Sequence, residues 1–172
     1  MSIESEINRR LEERAEMQRA SKKAGDLKRA IEEECSRKTD ETVRRLEVAR
    51  ILEDAKSYYE KEDNKNRRFE IRDSGSDGSD GVRHIGIKLE WDHGDSHGYK
   101  RIALSFQTGH LEGIGVQDTI LHIIQGDTLG GGGNASKMTP EDLEGMLAEV
   151  MTNHDNWHSH TYHYDPNSSR PY

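Results

Sequence analysis

Cysteine, proline and long apolar runs are scarce in this sequence, and each scarcity excludes something. One cysteine, Cys35, stands among 172 residues, so no disulfide can form within the chain. Its charged helical surroundings predict a surface thiol without a catalytic partner. Proline occurs three times and nowhere between Ser2 and Asp63, so nothing there forces a helix to stop. No apolar stretch approaches the roughly 20 residues that a bilayer span needs, and the N-terminus lacks the apolar core of a signal peptide. A soluble, cytoplasmic protein with no membrane partner is the expectation. Hydrophobic residues make up 31% of the chain against 34% charged, with a mean hydropathy of -1.03, so the core must be small and part of the chain solvated.

Positive charge is also missing from one half. Residues 1–68 carry 18 Lys plus Arg and 17 Asp plus Glu, whereas the remainder carries 7 and 16. Clustered phosphate contacts need clustered Lys and Arg, so the C-terminal half is not expected to bind nucleic acid.

What is present begins with helix. From Ser2 to Asp63 the residues are strong helix formers, with Ile3, Ile7 and Leu11 at four-residue spacing, then Leu27, Ile31 and Cys35, then Val43, Leu46, Ala49, Leu52, Ala55 and Tyr59. Pairs such as Glu6/Arg10 and Glu41/Arg45 lie one helical turn apart and add support. Gly25-Asp26 and Thr39-Asp40 are possible ends and starts, which predicts two or three helical segments over residues 1–63. The apolar seam is narrow and drifts in register, which argues against a long perfect coiled coil, and it calls for a partner, either a second copy of the chain or the C-terminal domain.

Residues 64–68 read as a polar joint, after which the apolar period drops to two. Phe69 and Ile71, then Ile85, Ile87, Leu89 and Trp91, then Ile102, Leu104 and Phe106 alternate with polar or small residues. This predicts an α+β unit over residues 69–152 with three antiparallel strands and one or two covering helices. "QDTILHIIQ" reads as a short helix, with a strand as the alternative, and "LGGGGNASK" as a flexible break. Thr139 and Pro140 open a final helix whose apolar stripe is Leu143, Met146, Leu147, Val150 and Met151. A polar tail spans residues 153–172.

Two stretches look like chemistry. "NHDNWHSHTYHYD" holds His154, His158, His160 and His163; its Asn, Asp and Ser residues favour an extended tail with Trp157, Tyr162 and Tyr164 as anchors. "WDHGDSHGY" holds Asp92, His93, Asp95 and His97 in a hairpin loop. Each alone reads as a polar segment that needs no cofactor. Were the two to meet in space, His93, His97, His158 and His160 could ligate Zn or Mn, with Asp92 or Asp95 as ligand or base. No nucleophile elbow and no Walker sequence is present.

The run "IALSFQTGHLEGIGVQDTILHII", followed by "PEDLEGMLAEV", resembles a motif of small phage-encoded α+β proteins related to anti-Thoeris proteins, which sequester nucleotide signals of bacterial immunity. Phe106, Gln107, Gly109, Gly115 and Val116 carry the resemblance between about residues 102 and 150; His110 stands where that pattern has proline, and Gln117-Asp118 where it has Asn-Gly. The resemblance implies a phage accessory or anti-defence protein with a ligand at those five positions. The residues themselves favour a non-enzymatic binding or assembly protein, acting on a protein partner and as a homo-oligomer. The alternatives are a metal-dependent hydrolase built on the His/Asp clusters and a binder of a small nucleotide signal.

Overall fold

A computed structural model describes residues 3–61, 67–76, 81–93, 96–153 and 158–161. The order is α1 (Ile3–Arg45), α2 (Val48–Tyr59), β1 (Arg67–Ser76), β2 (Val82–His93), β3 (Ser96–Leu111), β4 (Gly115–Gln125), β5 (Thr128–Asn134), α3 (Pro140–Thr152) and β6 (His158–Thr161).

α1 is one continuous helix that runs through Gly25 and Thr39-Asp40. A single interior glycine costs about 0.5–1 kcal/mol, too little to stop a helix flanked by such strong formers. The chain breaks instead at Glu47, which adopts a left-handed conformation (φ 52°, ψ 34°) and turns α2 back onto the sheet. Only the last part of α1 is buried: Cys35, Ser36, Thr39, Thr42 and Val43 face the sheet. Residues up to Ala30 extend away from it.

The sheet corrects the expectation of three strands. β1 to β5 form a five-stranded antiparallel meander in sequential order, and β6 adds a short strand against β3. "QDTILHIIQ" is β4, because its run alternates in burial: Leu121 and Ile123 enter the core while Ile120 and Ile124 turn to the other face. β-branched residues in a short apolar run fit a pleated surface better than a helix. The glycine run, read as a flexible break, is β5. Side chains there would collide with their neighbours: a Cβ at Gly133 would lie 2.7 Å from the Met138 methyl before α3, and one at Gly130 would run into the Gln125 side chain of the adjacent strand β4. The glycines therefore permit close packing.

Odd positions of β2 and β4 and even positions of β3 point to one face, where the end of α1, with α2 and α3, closes a single core. Leu46, Leu52, Phe69, Ile87, Leu89, Leu104, Phe106, Leu121, Ile123, Leu143 and Leu147 are at its centre. α3 starts as its sequence dictates, with Thr139 and Asp142 forming a reciprocal capping box behind Pro140.

The root of α1 is held by hydroxyls as well as by methyls. Thr39 Oγ1 donates to Gly81 O at 2.5 Å and lies 2.7 Å from Thr108 Oγ1; Thr108 Oγ1 is 2.8 Å from Thr119 Oγ1, itself 3.1 Å from Thr42 Oγ1. All four threonines are buried. A chain of mutually satisfied hydroxyls fixes one register of helix against sheet, since a slip would leave buried polar groups unpaired. Arg83 bridges Asp40 at 2.9 Å and Asp73 at 2.6 Å, tying α1 to the outer strands, and its guanidinium holds the Asp73 carboxyl below the usual carboxylate range. Cys35, expected on the surface, is buried at 4% exposure against Gly81, and burial pushes its thiol pKa up.

Lys100, 1% exposed, is a fully buried charged side chain. Its ammonium donates to the carbonyls of Val150 and, at 2.7 Å, Asn153, so a cation closes the C-terminal end of α3. Burial lowers its pKa. The unfolded chain therefore holds this proton more tightly than the folded one. The desolvation cost is fully present at neutral pH and fades as the pH climbs through the folded value toward the ordinary value of about 10.4. Lys100→Met is expected to strand the Val150 carbonyl, to cost about 1.5–3 kcal/mol at pH 7, and to abolish the alkaline gain in stability. Urea melts of both proteins at pH 7 and pH 10 check this; parallel pH profiles would contradict it.

Candidate functional site

Among the described residues, two surfaces are left without cover by the domain's own packing. The first is the outer part of α1, residues 3–30, about 42 Å long at 1.5 Å per residue. It is kept helical without tertiary support by one-turn ion pairs, such as Arg9 with Glu6 at 2.6 Å and with Glu13 at 2.5 Å. Ile3, Ile7, Leu11, Met17 and Leu27 on it are between 52% and 81% exposed. Its charge is polarised: residues 3–16 hold five acidic and three basic side chains, whereas residues 17–30 hold one and five.

The second is the face of the sheet opposite the helices. Its rows follow from the register. Arg72, Gly86, Ala103, Ile124 and Leu129 form one row across β1 to β5, and Glu70, Lys88 and Arg101 the next. Gly86 and Ala103 make a low floor, over which Glu70, Arg72, Lys88, Arg101 and Asp127 stand around a trough of about 520 Å³. The cations are engaged: Arg72 bonds Glu70 at 2.8 Å, Lys88 pairs with Glu90, and Arg101 lies 5.4 Å from the centre of the Tyr99 ring. The Arg72 guanidinium holds the Glu70 carboxyl below its ordinary range. Glu70/Arg72 and Lys88/Glu90 were visible in the sequence as the polar phase of their strands, whereas Tyr99 and Arg101 precede the alternation read at Ile102–Phe106, and the meeting of all of them at one floor depends on register.

Beyond the trough the same face carries the histidines. β3 is longer than β4, and the edge that β4 leaves uncovered at Ser96–Tyr99 is taken by β6. The register sets Asp92 opposite His97 and His97 opposite His160, so the three occupy one row across β2, β3 and β6. The adjacent row of that face is Glu90, Tyr99 and His158. The two clusters are thus brought together. His97 is a half-buried ring whose Nε2 lies 3.7 Å from Glu90 Oε1. His93 is opposite Ser96 in the register, one position along β2 from Asp92. Asp95, His154, Trp157, Tyr162 and Tyr164 lie outside the described residues. Among the described side chains no group of three or more His, Cys, Asp or Glu forms a metal-binding cluster; Asp92, His158 and His160 enter here through their backbone positions.

The five positions that carried the resemblance are dispersed along the β3–β4 hairpin. Phe106 is wholly buried in the core and Gln107 is exposed on the opposite side. Gly109 follows at the bulge after Thr108, while Gly115 (φ 96°) and Val116 pair with Leu111 and His110 at the distal end, beside the exposed Leu111 and Ile114. No family model, curated protein or solved structure matches the chain. No helix among the described residues is long and apolar enough to cross a membrane.

Proposed function

We propose that this chain is an assembly protein that pairs with a second copy of itself through the outer part of α1, leaving the open sheet face of each domain for recognition. The observation that carries this is the exposed apolar set Ile3, Ile7, Leu11, Met17 and Leu27 on a helix that the domain does not cover. Apolar side chains exposed on a solvated helix gain by burial against a partner, and Ile3, Ile7 and Leu11, one turn apart in succession, offer the continuous part of that surface. The charge distribution selects the orientation. Antiparallel pairing sets the acidic residues 3–16 of each copy against the basic residues 17–30 of the other, whereas parallel pairing would align like with like. A twofold axis then crosses the arms near their middle, and the two domains stand at opposite ends.

Light scattering coupled to size exclusion tests this on the full chain. The unaltered protein is expected to run as a dimer that weakens with salt, as exposed charge complementarity requires. Ile7→Glu with Leu11→Glu is expected to give a monomer with an unchanged melting curve for the domain. Lys22→Glu with Lys23→Glu is expected to weaken the dimer, and adding Glu12→Lys and Glu13→Lys to restore it. A monomeric parent protein, or a dimer indifferent to all of these substitutions, refutes the reading.

A further inference from the structure

Glycine in the middle of a strand weakens it, and it is kept there for a bulge, a left-handed conformation or the close approach of another group. The first two reasons do not apply to Gly86. The register runs unbroken through it, against Arg72 of β1 and Ala103 of β3, and its φ is not positive. Packing does not require it either: a Cβ there would meet nothing nearer than Arg72 O at 3.7 Å, an ordinary contact, whereas one at Gly133 would collide with Met138 at 2.7 Å. The space above Gly86 is the floor of the trough of about 520 Å³ on the open sheet face, within the roughly 300–1,000 Å³ of small-molecule sites. Charge at the same place also costs stability. Lys88 and Arg101, in the next row, are directly opposed across β2 and β3. Opposed residues on one face have Cβ atoms about 4.5–5.5 Å apart, and like charges so placed destabilise a sheet. Residues 69–172 hold 7 Lys plus Arg against 16 Asp plus Glu, yet Arg72, Lys88 and Arg101 stand around this trough against only Glu70 and Asp127, a net of +1. An acidic unit has gathered three of its seven cations over one small-residue floor.

We propose that the trough binds a small aromatic acid, with its carboxylate between Lys88 and Arg101 and its flat ring on Gly86 and Ala103 against Ile124. A ring lies this close to the backbone only where no long side chain stands above it, and Gly86 and Ala103 leave that gap. Arg72, opposed to Gly86, flanks the ring, and guanidinium planes stack on aromatic faces. The surplus of one positive charge matches a carboxylate, which carries one negative charge, better than a phosphate monoester, which carries about 1.5 to 2. The present partners of the two cations yield easily: Lys88 pairs with Glu90 and Arg101 lies over the Tyr99 ring, and contacts between partly exposed groups contribute little. The site rests on the reading that the open face recognises a ligand, and it stands whether or not the arms pair, which light scattering reads separately.

The test records backbone amide shifts of the isotope-labelled full chain as naphthoate is added. Saturable shifts centred on the Gly86 and Ala103 amides are expected. The neutral naphthyl methanol is expected to bind about tenfold more weakly, and naphthyl phosphate no more tightly. Lys88→Gln and Arg101→Gln are each expected to weaken naphthoate binding about tenfold, as loss of a charge-assisted bond requires. Lys137→Gln, which removes a cation of the same half outside the trough, is expected to leave it unchanged. Gly86→Val is expected to abolish binding while raising the melting temperature, because the branched side chain fills the floor and favours the strand. A glycine kept for structure alone would give the opposite sign in melting temperature. The proposal is overturned by no saturable shift at Gly86, by tighter binding of naphthyl phosphate, by an equal loss in Lys137→Gln, or by a Gly86→Val protein that still binds or melts lower.

Discussion

Phe106→Ala is expected to lower the unfolding free energy by about 3–5 kcal/mol, a large share of the roughly 5–15 kcal/mol that a single domain possesses. Phe106 is 0% exposed in the middle of β3, in the row between Arg83 and Leu121, where the core of the helical layer meets the threonine seam. The chain has only two phenylalanines, and the other, Phe69, packs edge-on against Tyr59 at 6.0 Å near the far side of the same core. β-Sheet neighbours on both sides cannot collapse without breaking ladder bonds. The cavity term is therefore expected in full. Urea denaturation should show a lower midpoint with an unchanged slope. A loss below about 1 kcal/mol would mean that β3 is not the centre of the fold.

Gly81→Ala is expected to be nearly as costly, and for a different reason. Gly81 has φ +63°, and a Cβ there would lie 2.6 Å from Thr108 O and 2.7 Å from Cys35 Cβ. Left-handed backbone costs a residue with a side chain about 1–2 kcal/mol. Overpacking adds about 1–3 kcal/mol. Neither obstacle can yield cheaply, since one is a ladder carbonyl and the other sits on α1. Gly81 O also accepts from Thr39 Oγ1 and from Thr108 N, so displacing it breaks the hydroxyl chain at its end. The expected outcome is that the root of α1 lifts from the sheet. Cys35 then becomes accessible, and its reaction with a thiol reagent under native conditions should quicken in proportion to the local opening. Unchanged labelling with unchanged stability would show that the helix root does not depend on this contact.

Much of the candidate site was within reach of the sequence, and its decisive step was not. His97, His158 and His160 were recognisable as ligand types, and so was Asp92. Which of them could meet was not, because register is set between strands far apart in the chain, and a shift of one residue would exchange His97 for a neighbour on the other face. His93, by composition a member of the same group, is opposite Ser96 in the register and not in the Asp92–His97 row. The threonine seam left no trace at all, since Thr39, Thr42, Thr108 and Thr119 are unremarkable in their local patterns and gain meaning only as a row of contacts.

By itself the sequence determined the helical character of the charged first third, though not that α1 runs unbroken through Gly25 and Thr39-Asp40, together with the change of period after residue 68 and the capped start of α3 at Thr139. Each of these is decided by neighbours within one or two turns or pleats, where the free energy is local and the pattern writes it directly. The tertiary structure alone decided that "QDTILHIIQ" and the glycine run are strands, that Cys35 is buried, and that the tail joins β3 beside His97. An apolar run of that length suits either helix or strand, and glycines suit neither until Met138 packs over them. Burial against distant partners outweighs a local preference worth a fraction of a kcal/mol.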